Sequence, residues 1–307
     1  MLLTLIAPVC ASALVSAGAL GPTVEPLGRP VSVLPPAFSG ASQPSGSATT
    51  PAIAARRRRV DGGPYHLFNP TPRDQMRDIS ADRPDTTESA ISVDAGHLQL
   101  EISVGDWTRE RRDDAVTLLQ SNVKFGLDDK SDIQFVFDTW VLEDNAADGN
   151  TDGFGDVQIR YKRNLWGNDG ETEDAFAFFP YVKIPTGTDR SNEEFEGGLI
   201  LPYARPLTDE IDLGLMAQFD VVYDEVGDDR DIEFLHTAVV GYPIEGSLGG
   251  YVEYVGVMAG GSEYRASTNL GLTVQPGPDL IFDGGVRLGW TDEVDDLGVF
   301  LGLTWRY

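Results

Sequence analysis

An all-β fold, an antiparallel up-and-down barrel of about twelve strands, is what this sequence predicts, and three observations carry it. The chain ends on a strictly alternating run, with Leu297, Val299, Leu301, Leu303, Trp305 and Tyr307 on one face and Gly298, Phe300, Gly302, Thr304 and Arg306 on the other. Comparable runs of about ten residues recur from His97 onward, as strands with two chemically different faces do. Between them, compact turns alternate with longer, more acidic connections.

The segments before the first strand have separate characters. Residues 1–19 are apolar and small-residue-rich, and Ala17, Gly18 and Ala19 form a cleavage site of the secretory kind, which predicts a signal peptide although no basic residue precedes the apolar run. Cys10, the single cysteine, lies in this leader behind the bulky Val9, so it reads as an apolar leader residue and not as a lipidation site. Residues 20–60 are rich in Pro, Ser, Ala and Gly, lack an apolar period, and read as a disordered linker. The linker closes on Arg56 to Arg59, a solvated charge run for which a tether to anionic envelope polymer and a proteolytic site are the alternatives. Residues 61–96 form a periplasmic N-terminal segment carrying Arg73, Arg77 and Arg83; it either stays in the periplasm or folds up into the lumen as a plug.

Charge is distributed as unevenly as composition. Of a net −26 over 307 residues, none falls in residues 1–96, where eight bases balance eight acids. The acidic body, residues 97–307, would repel phosphate, which excludes nucleic acid as a partner. It suits a cell-surface face that meets divalent cations. Past the leader no apolar stretch reaches the roughly 18 residues that a membrane helix needs, so any crossing must be made by strands.

Strand by strand, the first run sets Leu98, Leu100, Ile102 and Val104 against Gln99, Glu101 and Ser103, and the second sets Leu119, Val123, Phe125 and Leu127 against Gln120, Asn122 and Lys124. The third opposes Ile133, Phe135 and Phe137 to Gln134 and Asp138; the fourth opposes Val157, Ile159, Tyr161 and Leu165 to Gln158, Arg160, Lys162 and Asn164. Less regular runs follow at 175–185 and 199–206. The seventh alternates cleanly from Ile211 to Tyr223, and further runs lie at 234–242, 248–258, around 270–275 and around 282–290, ahead of the closing strand. The compact turns follow even-numbered strands, and 143–152, 186–196, 224–231 and 292–296 are the longer loops after odd ones. That parity is the rule for short periplasmic turns and longer outer loops, and it puts both barrel termini in the periplasm. Tyr223 and Trp290 at one end, and Tyr161, Trp166, Trp305 and Tyr307 at the other, occupy girdle positions.

Apolar faces turned to lipid leave the polar faces lining a lumen that twelve strands make narrow. Its charged candidates are Glu101, Lys124, Asp138, Arg160, Lys162, Lys183, Glu253, Asp283 and Arg287. One reading is that they satisfy one another as wall ion pairs. The other is a charged constriction in which Lys124, Arg160 and Lys162, two strands apart, form a basic strip that prefers anionic or phenolate-like solutes.

At the residues of the entrance to the barrel the sequence resembles a known family. Asp82, Arg83, Pro84, Asp85, Thr86, Thr87 and Glu88, followed by Ala95, Gly96, His97 and Gln99 to Glu101, are similar to the start of the family of meta-pathway phenol degradation proteins. So are Gly153, Gly155 and Asp156 before Ile159 to Lys162, and Lys183 to Gly187. The resemblance covers roughly residues 80–307. It implies an outer-membrane β-barrel of a Gram-negative-type bacterium, associated with uptake of aromatic or hydrophobic compounds.

Two weaker patterns complete the inventory. Asp148, Asn150, Asp152 and Asp156, with Gly153, match the first part of a calcium-loop spacing on an outer loop, but Ile159 stands where the bidentate glutamate belongs. Calcium is therefore the single metal considered, against an ordinary Asp- and Asn-rich loop. Only His66, His97 and His236 could serve a catalytic triad, and none has a partnering Ser and acid, so no enzyme and no cofactor are expected. The expected function is a passive channel or transporter for small solutes, aromatic or phenolic ones among them, in contact with outer-membrane lipid. Trp305 and Tyr307 would address it to the barrel-assembly machinery. The alternative is a non-transporting surface barrel whose acidic loops bind divalent cations or partners.

Overall fold

The computed structural model describes residues 65–307 apart from 112, 146–148, 170–171, 189–190, 225–227, 261 and 292–293. The predicted signal peptide, the linker and Arg56 to Arg59 lie outside the described residues. From Leu98 the chain is almost wholly strand: β1 Leu98–Glu110, β2 Asp113–Asp128, β3 Ser131–Phe137, β4 Trp140–Asn145, β5 Gly149–Gly153, β6 Val157–Trp166 and β7 Ala175–Ile184. Then come β8 Glu196–Pro206, β9 Asp212–Asp224, β10 Asp229–Glu245, β11 Leu248–Ala259, β12 Arg265–Gly277, β13 Leu280–Gly289 and β14 Leu297–Arg306.

Each strand pairs antiparallel with its neighbour, and β1 pairs with both β14 and β2, which closes the sheet on itself. Closure removes the free edges that an open sheet would present. The fourteen segments make twelve staves, because β3 and β4 both pair with β2, while β6 pairs with β3 and β5 with β4. The third and fourth staves are thus each broken once, at Asp138–Thr139 and at 154–156. The predicted loop over 143–152 is corrected by this pairing: most of it is the β4–β5 hairpin, whose register Val141↔Gly153 to Asn145↔Gly149 extends the two staves. Its Asn, Asp and Gly content suggested a loop, and cross-strand pairing overrode that local preference. The alternation also slips in β2, where Leu119 has a φ of 56° and both Leu118 and Leu119 are exposed.

The two faces differ as the alternation predicts. Val104, Phe125, Tyr161, Phe178, Val182, Leu215, Phe219, Leu272, Phe282 and Leu301 all stand exposed on the outside, a continuous apolar wall that water would not tolerate and lipid would. Trp166 stacks on Phe176, and Trp305 packs against Tyr307 at the end where the barrel's termini meet; Trp290 lies against Tyr254 at the far end. The inner face is polar and buried, with Gln99, Glu101, Asn122, Lys124, Gln134, Lys162, Glu253 and Asn269 all almost inaccessible.

Something must cover those inner groups. Residues 77–95, which precede β1, lie inside the barrel: Asp82, Asp85, Thr87, Glu88, Asp94 and Ala95 are each at most 2% exposed. The chain enters by a 3₁₀ turn at Arg73–Gln75 and leaves through His97, whose ring nitrogens face the carbonyls of Tyr307 and Thr71. Wall glycines make room for it. A side chain at Gly126 would strike the Val93 and Asp94 carbonyls, and one at Gly302 would strike the Arg83 guanidinium.

Candidate functional site

The lumen residues meet partners at two levels. In the half nearer the termini, the wall's charges meet the inner segment. Asp82 accepts from Lys162 Nζ at 2.6 Å, from Gln134 at 3.2 Å and from Lys124, while its amide donates to Glu101 at 3.0 Å. Burial pushes the Asp82 carboxyl up, but the charges of Lys124 and Lys162 outweigh burial and hold it well below the usual carboxylate range. Glu88 accepts from Arg160 at 2.8 Å. Burial, and after it the Asp82 charge, push its carboxyl up to about 8 against the pull of Arg160.

Across the lumen the signs reverse. Arg83 donates to both oxygens of Asp283, at 2.9 and 2.6 Å. Glu253 accepts from the Thr86 and Thr87 amides, each at 2.7 Å, and from Asn269 at 2.7 Å. Such charge-assisted bonds are what permit these carboxylates to be buried at all. Arg306, which the alternation places at the lumen mouth, holds the segment's entry by donating to the Arg77 carbonyl at 2.9 Å.

Nearer the far end the wall pairs with itself. Arg287 bonds Asp106, Arg265 bonds Glu233, and Lys183 bridges Asp156 at 3.2 Å and Glu196 at 2.8 Å. Asp138 accepts from Gln120 at the break in the third stave. Of the nine charged lumen candidates, then, Asp138, Lys183 and Arg287 find partners within the wall, whereas Lys124, Arg160, Lys162, Glu253 and Asp283 meet the segment, and Glu101 meets both Lys124 and the segment.

Among the calcium candidates, Asp148 lies outside the described residues, and Asn150 and Asp152 are on β5. Asp156 is turned to Lys183 and to the Thr186 and Gly187 amides at 3.0 and 2.9 Å. Among the described residues no group of His, Cys, Asp and Glu is arranged to hold a metal. His236 faces outward beside Tyr264, at 3.0 Å from its hydroxyl.

Sequence reasoning missed three kinds of lumen residue, one of them being Asp106, Glu233 and Arg265, the charged partners in the far-end wall. Asp82 and Glu88 are the partners of the basic strip, and they sit in a stretch with no periodicity to assign them a side. Phe179, Ile200, Met216 and Leu235 form an apolar cluster on the inner face, with Lys162 Nζ 4.8 Å from the Phe179 ring. Inner apolar residues in the irregular runs 175–185 and 199–206 were the available signal.

The architecture is shared with solved barrels. The NanC porin superposes with a TM-score of 0.50 at 11% identity, covering 68% of this chain and 98% of that one. The COG4313 outer membrane channel from Pseudomonas putida F1 gives 0.50 at 11% identity, covering 69% of this chain and 94% of that one. Among curated proteins none matches. The fold is that of an outer-membrane barrel, and its apolar exterior belongs in that membrane. With a family model matching residues 81–307, the chain belongs to the family described as "Putative MetA-pathway of phenol degradation".

Proposed function

We propose that this barrel is a passive channel for small solutes whose lumen is closed by its own N-terminal segment. The observation that carries the reading is the partnering of Lys124, Arg160, Lys162, Glu253 and Asp283 with residues 82–88 instead of with one another. A barrel built only to be rigid would pair its wall charges with one another, as Arg287 does with Asp106 across β14 and Lys183 does with Glu196 on the neighbouring strand. Charges satisfied by a separable segment become available when it moves. The family description and the apolar cluster beside Lys162 favour aromatic or phenolic solutes, with a ring against Phe179 and Met216 and an anionic oxygen toward the basic strip. Residues 61–96 act in this reading as plug, and Trp305 and Tyr307, exposed on the last strand, serve as the address read by barrel-assembly machinery.

Planar-bilayer recording tests the proposal. Deleting residues 65–95 is expected to turn a mostly closed protein into one with steady conductance, which aromatic acids then compete for. A deletion variant that inserts but passes no current would overturn it and favour a non-transporting surface barrel. That second reading rests on the acid-rich far-end connections, including Glu193, Glu194, Asp228 and Asp229.

A further inference from the structure

The inner segment does more than fill space, because two adjacent residues reach opposite walls. Asp82 is held by Lys124 on β2 and Lys162 on β6, and Arg83 is held by Asp283 on β13. In the ring of twelve staves, the one containing β6 stands opposite β12, and Glu253 and Asp283 lie on β11 and β13, which flank β12. The wall around Asp82 therefore carries Lys124, Arg160 and Lys162 with the carboxylates Glu101 and Asp132 among them, a net positive side, and the wall around Arg83 carries the carboxylates Asp283 and Glu253. Asp82 and Arg83 answer that division with one carboxylate and one guanidinium.

A lone anion would pair with Lys124 and Lys162 but leave Asp283 without the guanidinium it now has and Glu253 with Asn269 in place of the segment's amides, and a lone cation would leave Lys162 without the carboxylate that Asp82 supplies. In a narrow lumen either state carries the cost of poorly solvated charge. A molecule with both charges satisfies both walls at once. We propose that, once the segment withdraws, the split wall binds a small zwitterion, its carboxylate between Lys124 and Lys162 and its cationic group at Asp283 and Glu253, in the place of Asp82 and Arg83. The inference rests on the reading that the segment leaves the lumen, and it deepens that reading by adding a cationic group to the anionic solute proposed there.

The test uses the full chain refolded in detergent, with D82N/R83Q removing the two charges by which the segment holds the site, so that a charged probe competes against a neutral occupant. N-acetyl-Asp-Arg-amide, which keeps only the two side-chain charges, is the probe, measured by titration calorimetry. Binding to the variant is expected to be about ten-fold tighter than that of N-acetyl-Asp-amide or of N-acetyl-Arg-amide, and to be lost when Lys162→Met or Asp283→Asn is added. Equal binding of the three probes, or equal binding to the unmutated chain, would overturn the zwitterion site. Should D82N/R83Q fail to fold, the 65–95 deletion carries the same titration. A deletion variant that conducts but does not discriminate the probes defeats this inference alone; one that does not conduct defeats the channel reading.

Discussion

The lumen has two belts of buried charge that look alike in composition and differ in what they are bonded to. In the far-end belt, Arg287–Asp106, Arg265–Glu233 and Lys183–Glu196 join strand to strand. In the belt nearer the termini, Lys162–Asp82, Arg160–Glu88 and Arg83–Asp283 join strand to inner segment. A pair within the wall can be broken only by deforming the barrel. A pair with the segment can be broken by moving a stretch of chain that is not itself a stave of the barrel. The difference separates charges that hold strand to strand from charges that, in the proposed channel, a solute meets once the segment has moved.

The comparison is broken most completely by removing one side of it. Deleting residues 65–95 should raise single-channel conductance by on the order of ten-fold or more, since the lumen is otherwise crossed by packed chain. A smaller step is Arg83→Gln, which leaves Asp283 buried without its guanidinium, a loss of roughly 3–5 kcal/mol if the site stays dry. The segment should then spend more time outside, and open events should become several-fold more frequent. Arg265→Gln in the other belt should instead lower the thermal unfolding temperature and leave the closed state intact; equal gating effects from the two variants would erase the distinction between the belts.

Neutralising Lys124, Arg160 and Lys162 together in the deletion background should shift reversal potentials toward cation preference. Unchanged selectivity would show that the strip does not act on passing ions. The smallest effect is on pH. Glu88 sits against Asp82, Arg160, Lys162 and Lys124, and its carboxyl is raised to about 8 in the folded chain. A raised carboxyl contributes stability that is fully present below its unfolded value near 4.5 and is lost progressively until pH reaches the folded one, so the segment should loosen as pH rises from about 4.5 to about 8 and change no further above that. Asp82, held low, loses its contribution only in strong acid. Open probability should therefore climb between about pH 4.5 and pH 8 in the unmutated chain and stay flat in Glu88→Gln.

Much of this molecule is legible in its residues, because a strand's side chains alternate at a period of two and lipid and lumen demand opposite chemistry. Leu98 to Ser103, Val157 to Asn164 and Leu297 to Tyr307 each reveal which residues face inward before any pairing is known. Irregular runs hide it: Phe179 and Ile200 face inward although they are apolar, since the lumen carries an apolar cluster as well as charge. The β4–β5 hairpin is likewise disguised by loop-like residues, and its strand character comes from its neighbours.

By itself, then, the sequence determined a barrel with about twelve staves, its lipid face, and nine of the charges on its inner face, because these follow from local periodicity repeated along the chain. Only the tertiary structure decided what those charges touch. Arg83 and Asp283 are 200 residues apart, and Thr87 and Glu253 are 166 apart. No period links a segment without regular structure to strands that far along the chain. Closure of the sheet brings them together, and the cost of burying each charge unpaired makes the segment and the wall complete one another.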